Sequence, residues 1–224
     1  MTQSVPAPPG LALFDLDGTL TWQDTLWPFL TGYLARHPHR ALRTWRLPLA
    51  AAAYLGGGRD RGALKGRVIR AVMGGEPRTR IEAWADRFAE SLLPHGAFRP
   101  AALEVLDAHR RAGDRLVLMS ASPDLYVPRI GRMLGFDRTI CTEIVWRGEV
   151  LDGRLRSPNR RGEDKARRLA ALRLDYPGMA VTAYGNSDSD LAHMVHADRA
   201  VLVNASAAAR RQAAALGIAV GDWI

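Results

Sequence analysis

The first apolar run in the chain, Leu11 to Phe14, ends abruptly in Asp15-Leu16-Asp17-Gly18-Thr19. A short unbroken apolar run predicts a strand buried on both faces. Its C-terminal end is where open α/β sheets collect their ligands. From Trp22 to Leu93 the spacing becomes helical. Leu26, Phe29, Leu30, Tyr33 and Leu34 share one face, Leu64, Val68, Ile69, Val72 and Met73 a second, and Ile81, Trp84, Ala85, Phe88 and Leu92 a third. Glycines at 56–58 and 74–75 separate these helices. No strand-like run appears in the stretch, so it reads as a helical insert. A helix over Pro100–Ala112 then leads into Arg115–Ser120, and further apolar runs follow at Ala180–Tyr184 and Ala200–Val203. Alternating strand and helix predicts a parallel sheet. Ile140–Leu155, with turn signals at Arg147-Gly148 and Asp152-Gly153, predicts an added hairpin. The expected architecture is α/β: a Rossmann-like parallel-sheet core of residues 1–21 and 94–224, with a helical cap domain, 22–93, inserted after the first strand.

Charge narrows the class of partner. A net charge of +8 and a pI near 10.5 point to an anion: a phosphate ester, a nucleic acid or an acidic membrane surface. Nucleic acid is not expected, because basic and aromatic residues are not interleaved as single-strand stacking requires. The apolar segment Leu47–Leu55 is too short to span a bilayer, which takes about 20 residues. It is nevertheless preceded by Arg36, Arg40, Arg43 and Arg46 and followed by Arg59 and Arg61, a pattern that suits a helix lying on an anionic lipid surface. Met1–Gly10 is polar and proline-rich and reads as a loose tail without the form of a leader. A lone Cys141 excludes an internal disulfide, reads as a small core residue and fits a cytoplasmic location. Oligomeric state is not set by any of these features.

The chemistry starts with Asp15 and Asp17. Two apart in extended backbone, they project to the same side. Carboxylates about 4 Å apart repel by roughly 4 kcal/mol at an effective dielectric of about 20, so a cation or a shared proton is the natural remedy. Capping a turn is the bland alternative for an Asp-Gly pair. Three further segments would gather at the same sheet edge: Ser120 after its apolar run, Lys165 opening a helix, and Asn186, Asp188 and Asp190 after Ala180–Tyr184. Of 31 basic residues all but Lys65 and Lys165 are arginine, so a lysine has been kept at 165, where a compact charge serves better than a planar fork.

In these four motifs, over Leu11 to Val203, the chain resembles the haloacid dehalogenase superfamily, and in its helical insert the phosphoserine phosphatase branch. The resemblance implies a magnesium-dependent phosphomonoester hydrolase acting on a small phosphorylated metabolite such as phosphoserine. Asp15 would be the nucleophile and Asp17 the general acid and base. Gly18, Thr19, Ser120, Ala121 and Lys165 would bind the phosphoryl group, with Asp24 and Arg67 placed for an amino group and a carboxylate. Mg²⁺ would be held by Asp15, the Asp17 carbonyl and one further residue. Relatives have Asp where this chain has Asn186, so Asn186, Asp190 or Asp188 remains open for that place. The sequence departs from the branch at Ser120-Ala-Ser-Pro123, where glycines are usual. Phospholipid head-group hydrolysis at a membrane, or a binding protein that has lost turnover, are the alternatives. Dehalogenation ranks below them, because a second acid at Asp17 serves phosphate esters.

Overall fold

A computed structural model describes residues 8–46 and 61–224, apart from the side chains at 45, 46 and 61. Leu47–Leu55, the glycines at 56–58 and Arg59 lie outside the described residues. The central strand β1 (Leu11–Phe14) pairs in parallel with β2 (Arg115–Pro123) on one side and β6 (Val181–Gly185) on the other, so that Phe14 sits between Leu118 and Tyr184. With β3 (Arg138–Thr142), β7 (Arg199–Val203) and β8 (Ala219–Gly221) the order is β3-β2-β1-β6-β7-β8, all parallel. The chain winds outward from β1 in one direction and then in the other. That reversal opens a crevice at the C-terminal ends of β1 and β6, where Asp15 follows β1.

Period-two alternation divides β1 between two cores. Ala12 and Phe14 join Leu116 and Leu118 on one face; Leu11 and Leu13 join Val117 and Met119 on the other. The second face is covered by α6 (Glu163–Asp175), α7 (Asp188–Met194) and α8 (Ala207–Ala215) through Leu169, Leu172, Leu191, Met194 and Ala213. The first is covered by α4 (Pro100–Ala112) and α5 (Val127–Met133), and its core continues into the insert.

The insert comprises α1 (Leu26–Arg36), a 3₁₀ segment (Pro38–Arg46), α2 (Arg61–Met73) and α3 (Arg78–Leu92). The apolar faces read from the sequence are the buried ones: Phe29, Ile69, Ile81 and Trp84 are all at most 5 % exposed. Phe29 packs its ring against Trp84, Phe88 and Tyr126 at centroid distances of 6.0, 5.2 and 4.5 Å. Three of the arginines expected on a membrane face, Arg36, Arg40 and Arg43, have internal partners, while Arg59 and the side chains of Arg46 and Arg61 lie outside the described residues. Arg40 is buried, ion-paired with Glu76, and donates to the carbonyls of Val72 and Gly74 at 2.7 and 2.5 Å. Arg43 reaches Gly74 O at 2.9 Å and Arg36 stacks 4.7 Å above Trp84. No described helix is long and apolar enough to cross a membrane.

Two expectations are corrected. Ile140–Thr142 belongs to β3 of the main sheet, because Met119 pairs with Ile140 there, and the hairpin is the shorter pair β4 (Ile144–Arg147) and β5 (Val150–Leu155). Gly148 turns it as expected, but Asp152-Gly153 lies inside β5. Asp152 is buried between Arg147 and Arg154, and a β-carbon on Gly153 would sit 2.8 Å from Arg70 Cα, so α2 crosses the strand at backbone contact. The insert also contains extended backbone. Gly75 N–H donates to Leu151 O at 2.8 Å and Leu151 N–H to Glu76 O at 2.9 Å, lining the α2–α3 loop along the hairpin. Cys141 is buried as read, its thiol pushed up to about 12 by burial.

Candidate active site

Asp15 N–H donates to Tyr184 O at 3.0 Å, which fixes the carboxyl at the crevice between β1 and β6. The next residues, Leu16–Leu20, make one wide turn that depends on Gly18, whose φ is +80° and where a β-carbon would collide with the Asn186 carboxamide. Thr19, fully buried, donates its hydroxyl to Asp15 Oδ2 at 3.1 Å. Lys165, only 2 % exposed, places Nζ 2.6 Å from Asp15 Oδ1 and 2.7 Å from Asp190 Oδ1. The N-terminal turn of α6 that carries it is anchored by a buried Arg160–Asp164 ion pair of 3.0 Å. Asp190 Oδ2 accepts from Ser187 Oγ, Ser187 N and Asn186 N at 2.7, 3.0 and 3.2 Å, so both oxygens of Asp190 are taken.

The ionisation pattern follows from one ammonium serving two buried carboxylates. Burial outweighs Lys165 at Asp15 and, with Asp190 adding repulsion, pushes its carboxyl up to about 7. Asp190 is buried as well, but Lys165 and then His193 hold it well below the ordinary carboxylate range. Burial works against the charge on Lys165, yet the two carboxylates prevail and raise it.

Asp17 faces the same cavity with a different set of partners. Its Oδ1 accepts from Thr25 N and Thr25 Oγ1 at 2.7 and 2.6 Å, and its Oδ2 from Ser122 Oγ at 2.6 Å. Behind Thr25 stands the buried hydroxyl of Tyr126, 2.9 Å from Thr25 Oγ1. Burial, and then the charge of Asp24, raise the Asp17 pKa. From the insert, Lys65 Nζ donates to Ala121 O at 2.6 Å and Asn159 Oδ1 at 2.8 Å. Burial lowers its pKa to about 8 against the pull of Asp17 and Asp24.

A cavity of about 430 Å³ is lined by Asp15, Asp17, Gly18, Asp24, Lys65, Ala121, Ser122, Lys165, Asn186 and Asp190, among others. Four separated segments thus converge as their spacing along the chain suggested, and the haloacid dehalogenase-like hydrolase family model matches residues 12–195. The chain belongs to that family. This hydrolase is 35 % identical over 201 residues to the protein CicA of Caulobacter vibrioides, covering 88 % of this chain and 87 % of that one. In fold it is similar to a protein of unknown function from Bordetella pertussis Tohama I, with a TM-score of 0.82 at 23 % identity over 97 % of this chain and all of that one. It also shares its fold with a phosphoserine phosphatase in apo form, with a TM-score of 0.63 at 15 % identity over 92 % of this chain and 91 % of the other.

Against the family pattern, some residues move from the expected position. Ser120 does not line the cavity; its Oγ accepts from Ser122 N at 3.0 Å, and the hydroxyl that reaches the cavity is that of Ser122, because β2 runs on past Ser120 to Pro123. Thr19 positions Asp15 and lies outside the lining. Ala121 turns its carbonyl toward Lys65. Asp24 lines the cavity and also accepts from Leu26 N at 2.8 Å, starting α1. Arg67 lines a different cavity, and Asp188 pairs with Arg161 at 3.3 Å. Sequence reasoning missed Thr25, Ser122, Tyr126, Asn159 and Lys65. Only Lys65 carried a signal, being the other lysine in an arginine-rich chain.

A hard divalent cation fits this donor set. Asp15 is a buried carboxylate incompletely neutralised by Lys165, and Asn186 lies against Gly18 on the same rim. Among the described residues no cluster of three or more His, Cys, Asp or Glu forms a closed metal cage. Mg²⁺ does not need one, because it keeps waters and takes substrate oxygens.

Proposed function

We propose that this hydrolase is a magnesium-dependent phosphomonoester phosphatase that forms an aspartyl phosphate on Asp15, its helical insert 22–93 acting as the cap over the cavity. The observation that carries the reading is Lys165 held between Asp15 and Asp190 at 2.6 and 2.7 Å in a cavity that also contains the carboxyl of Asp17. Asp15 attacks phosphorus with Oδ as the ester oxygen departs. Asp17, whose raised pKa lets it carry a proton, delivers that proton to the leaving oxygen and later takes one from the water that opens the acyl phosphate. Thr25 and Ser122 hold the Asp17 carboxyl in place through both steps. Lys165 stabilises the charge that builds on the transferring oxygens, and Thr19 keeps Asp15 oriented.

Mg²⁺ would be held by Asp15, the Asp17 carbonyl and Asn186, and when bound it supplies charge neutralisation for the phosphoryl oxygens. Asp190 is assigned to bracing Lys165, since both its oxygens are engaged. The substrate is a small phosphorylated metabolite. Phosphoserine is the first to try, because Asp24 and Lys65 offer opposite charges to an amino and a carboxylate group at the cavity wall. Steady-state hydrolysis of para-nitrophenyl phosphate with and without magnesium tests the reading. Turnover that requires the metal is expected; binding without turnover would mark a fold that has lost its chemistry.

A further inference from the structure

We propose that a cavity at the two crossings between the sheet core and the insert binds a small amphipathic effector, an aromatic ring bearing one carboxylate, and that its occupancy is transmitted to Asp17. The two crossings are joined to each other. Thr21 and Phe98 form an antiparallel bridge, Trp22 N–H donates to Ala97 O at 3.1 Å, and Arg99 N–H donates to Leu20 O at 2.8 Å. Against this pair, α1 and α3 enclose a cavity of about 610 Å³. The segment Trp22–Thr25 is the partition between it and the Asp15 cavity. Trp22, Gln23 and Asp24 line both cavities, whereas Thr25 lines only the one at the crossings. From that side Thr25 donates its N–H and its hydroxyl to Asp17 Oδ1 at 2.7 and 2.6 Å.

The lining selects the chemistry of the ligand. Trp22, Pro28, Trp84, Phe88 and Leu92 supply apolar and aromatic walls that suit a flat ring. Arg36 and Arg87 supply positive charge, and Asp24 is the one carboxylate in the lining, so the balance favours a single negative charge on the ligand. Arg87 is exposed and has no partner among the described residues. Arg36 lies 4.7 Å above the Trp84 ring, and its one hydrogen bond, to Gly32 O at 3.3 Å, leaves most of its five donors free. A guanidinium fork beside an aromatic wall grips a carboxylate through two hydrogen bonds while the ring of the ligand packs behind it. The route to Asp17 is short. Thr21 Oγ1 donates to Gln23 O at 2.7 Å and accepts from Gly18 N at 3.4 Å, which ties the partition to the turn that carries Asp17. A ligand that packs against Trp22–Thr25 favours the arrangement in which Thr25 holds Asp17, by as much as it binds that arrangement better than others.

Calorimetric titration with 1-naphthylacetate, 1-naphthylacetamide and acetate tests the site. The wild type should bind naphthylacetate at least about tenfold more tightly than either the uncharged amide or acetate. Arg87→Gln should bring the acid and the amide to within about threefold of each other, and Arg87→Lys should recover part of the difference. Both variants change an exposed residue and should keep the melting temperature of the wild type. Ser91→Phe, which fills the cavity from α3, should weaken acid and amide alike by at least about tenfold. A dissociation constant above about 1 mM, a preference for the acid that survives Arg87→Gln, or unchanged binding by Ser91→Phe overturns the proposal. So does displacement of naphthylacetate by inorganic phosphate with magnesium, which would place the probe over Asp15. The effect on turnover rests on the phosphatase reading. Saturating naphthylacetate should raise kcat for para-nitrophenyl phosphate by at least about twofold in the wild type, and the same concentration should leave Arg87→Gln at its own basal rate. A wild-type kcat that is unchanged or lowered overturns the link to Asp17. If the wild type shows no turnover with magnesium, the phosphatase reading fails instead, and the calorimetry alone decides the site.

Discussion

The two walls of the Asp15 cavity hold their charges in opposite ways. On the sheet side Asp15, Asp17, Lys165 and Asp190 each have two or more side-chain or backbone partners, most of them buried. On the cap side Lys65 rests on a backbone carbonyl and an amide, while Arg67 and Arg70 reach into an adjoining cavity without a partner. Groups fixed in advance can stabilise developing charge without reorganising. Groups with spare hydrogen-bonding capacity can accept a variable ligand. On the proposed function, the chemistry belongs to the sheet side and the choice of substrate to the cap side.

The sharpest way to break this division is Lys165→Met. It leaves Asp15 and Asp190 buried without their shared cation, and unfolding in urea should show a loss of about 3–5 kcal/mol. Turnover of para-nitrophenyl phosphate should fall by at least about 10³-fold in the same variant. Stability within about 1 kcal/mol of wild type would show that the sheet-side charges are not one coupled unit. Glu76→Gln comes next. It strips the buried Arg40 of its counter-charge inside the cap, so the same unfolding experiment should register a loss of about 3 kcal/mol, while kcat should change by less than about threefold. A collapse of kcat would dissolve the distinction between the two walls.

Lys65→Met should lower kcat/KM for a charged metabolite ester by about tenfold, roughly 1.4 kcal/mol, and alter stability by about 1 kcal/mol or less, because Ala121 O keeps its bond from Thr142 Oγ1. Asn186→Asp should have the smallest effect. Adding a carboxylate at the rim should reduce the magnesium concentration for half-maximal activity by roughly threefold to tenfold, and an increase would place the metal elsewhere.

Much of the sheet side was legible in the sequence for physical reasons. A strand buried on both faces announces itself as an unbroken apolar run, and the residues that follow such runs meet at one edge of a parallel sheet, as Asp15 and Asn186 do, with Lys165 reaching them from the first turn of α6. Helical periodicity likewise marked the buried faces of the cap. The end of β2 was harder to read, because Ser120 and Ser122 are both plausible termini for the strand, and only pairing decides that it runs to Pro123. The hairpin was misjudged for a related reason. Asp152-Gly153 has the composition of a turn, but its glycine serves the close passage of α2 instead. Arg67 and Lys65 show the limit of spacing arguments. Two residues apart on a helix they face different cavities, and the rotation that selects Lys65 for the Asp15 cavity is set by that same packing against β5.

The central claim is that Asp15 becomes covalently phosphorylated, and the most direct measurement is acid quenching during turnover of para-nitrophenyl phosphate followed by peptide mass analysis. The account predicts one added phosphoryl group on the peptide containing Asp15, absent from Asp15→Asn, which should fold normally and lose at least about 10⁴-fold in kcat. An unmodified Asp15 peptide in an enzyme that turns over, or full activity in Asp15→Asn, would contradict it.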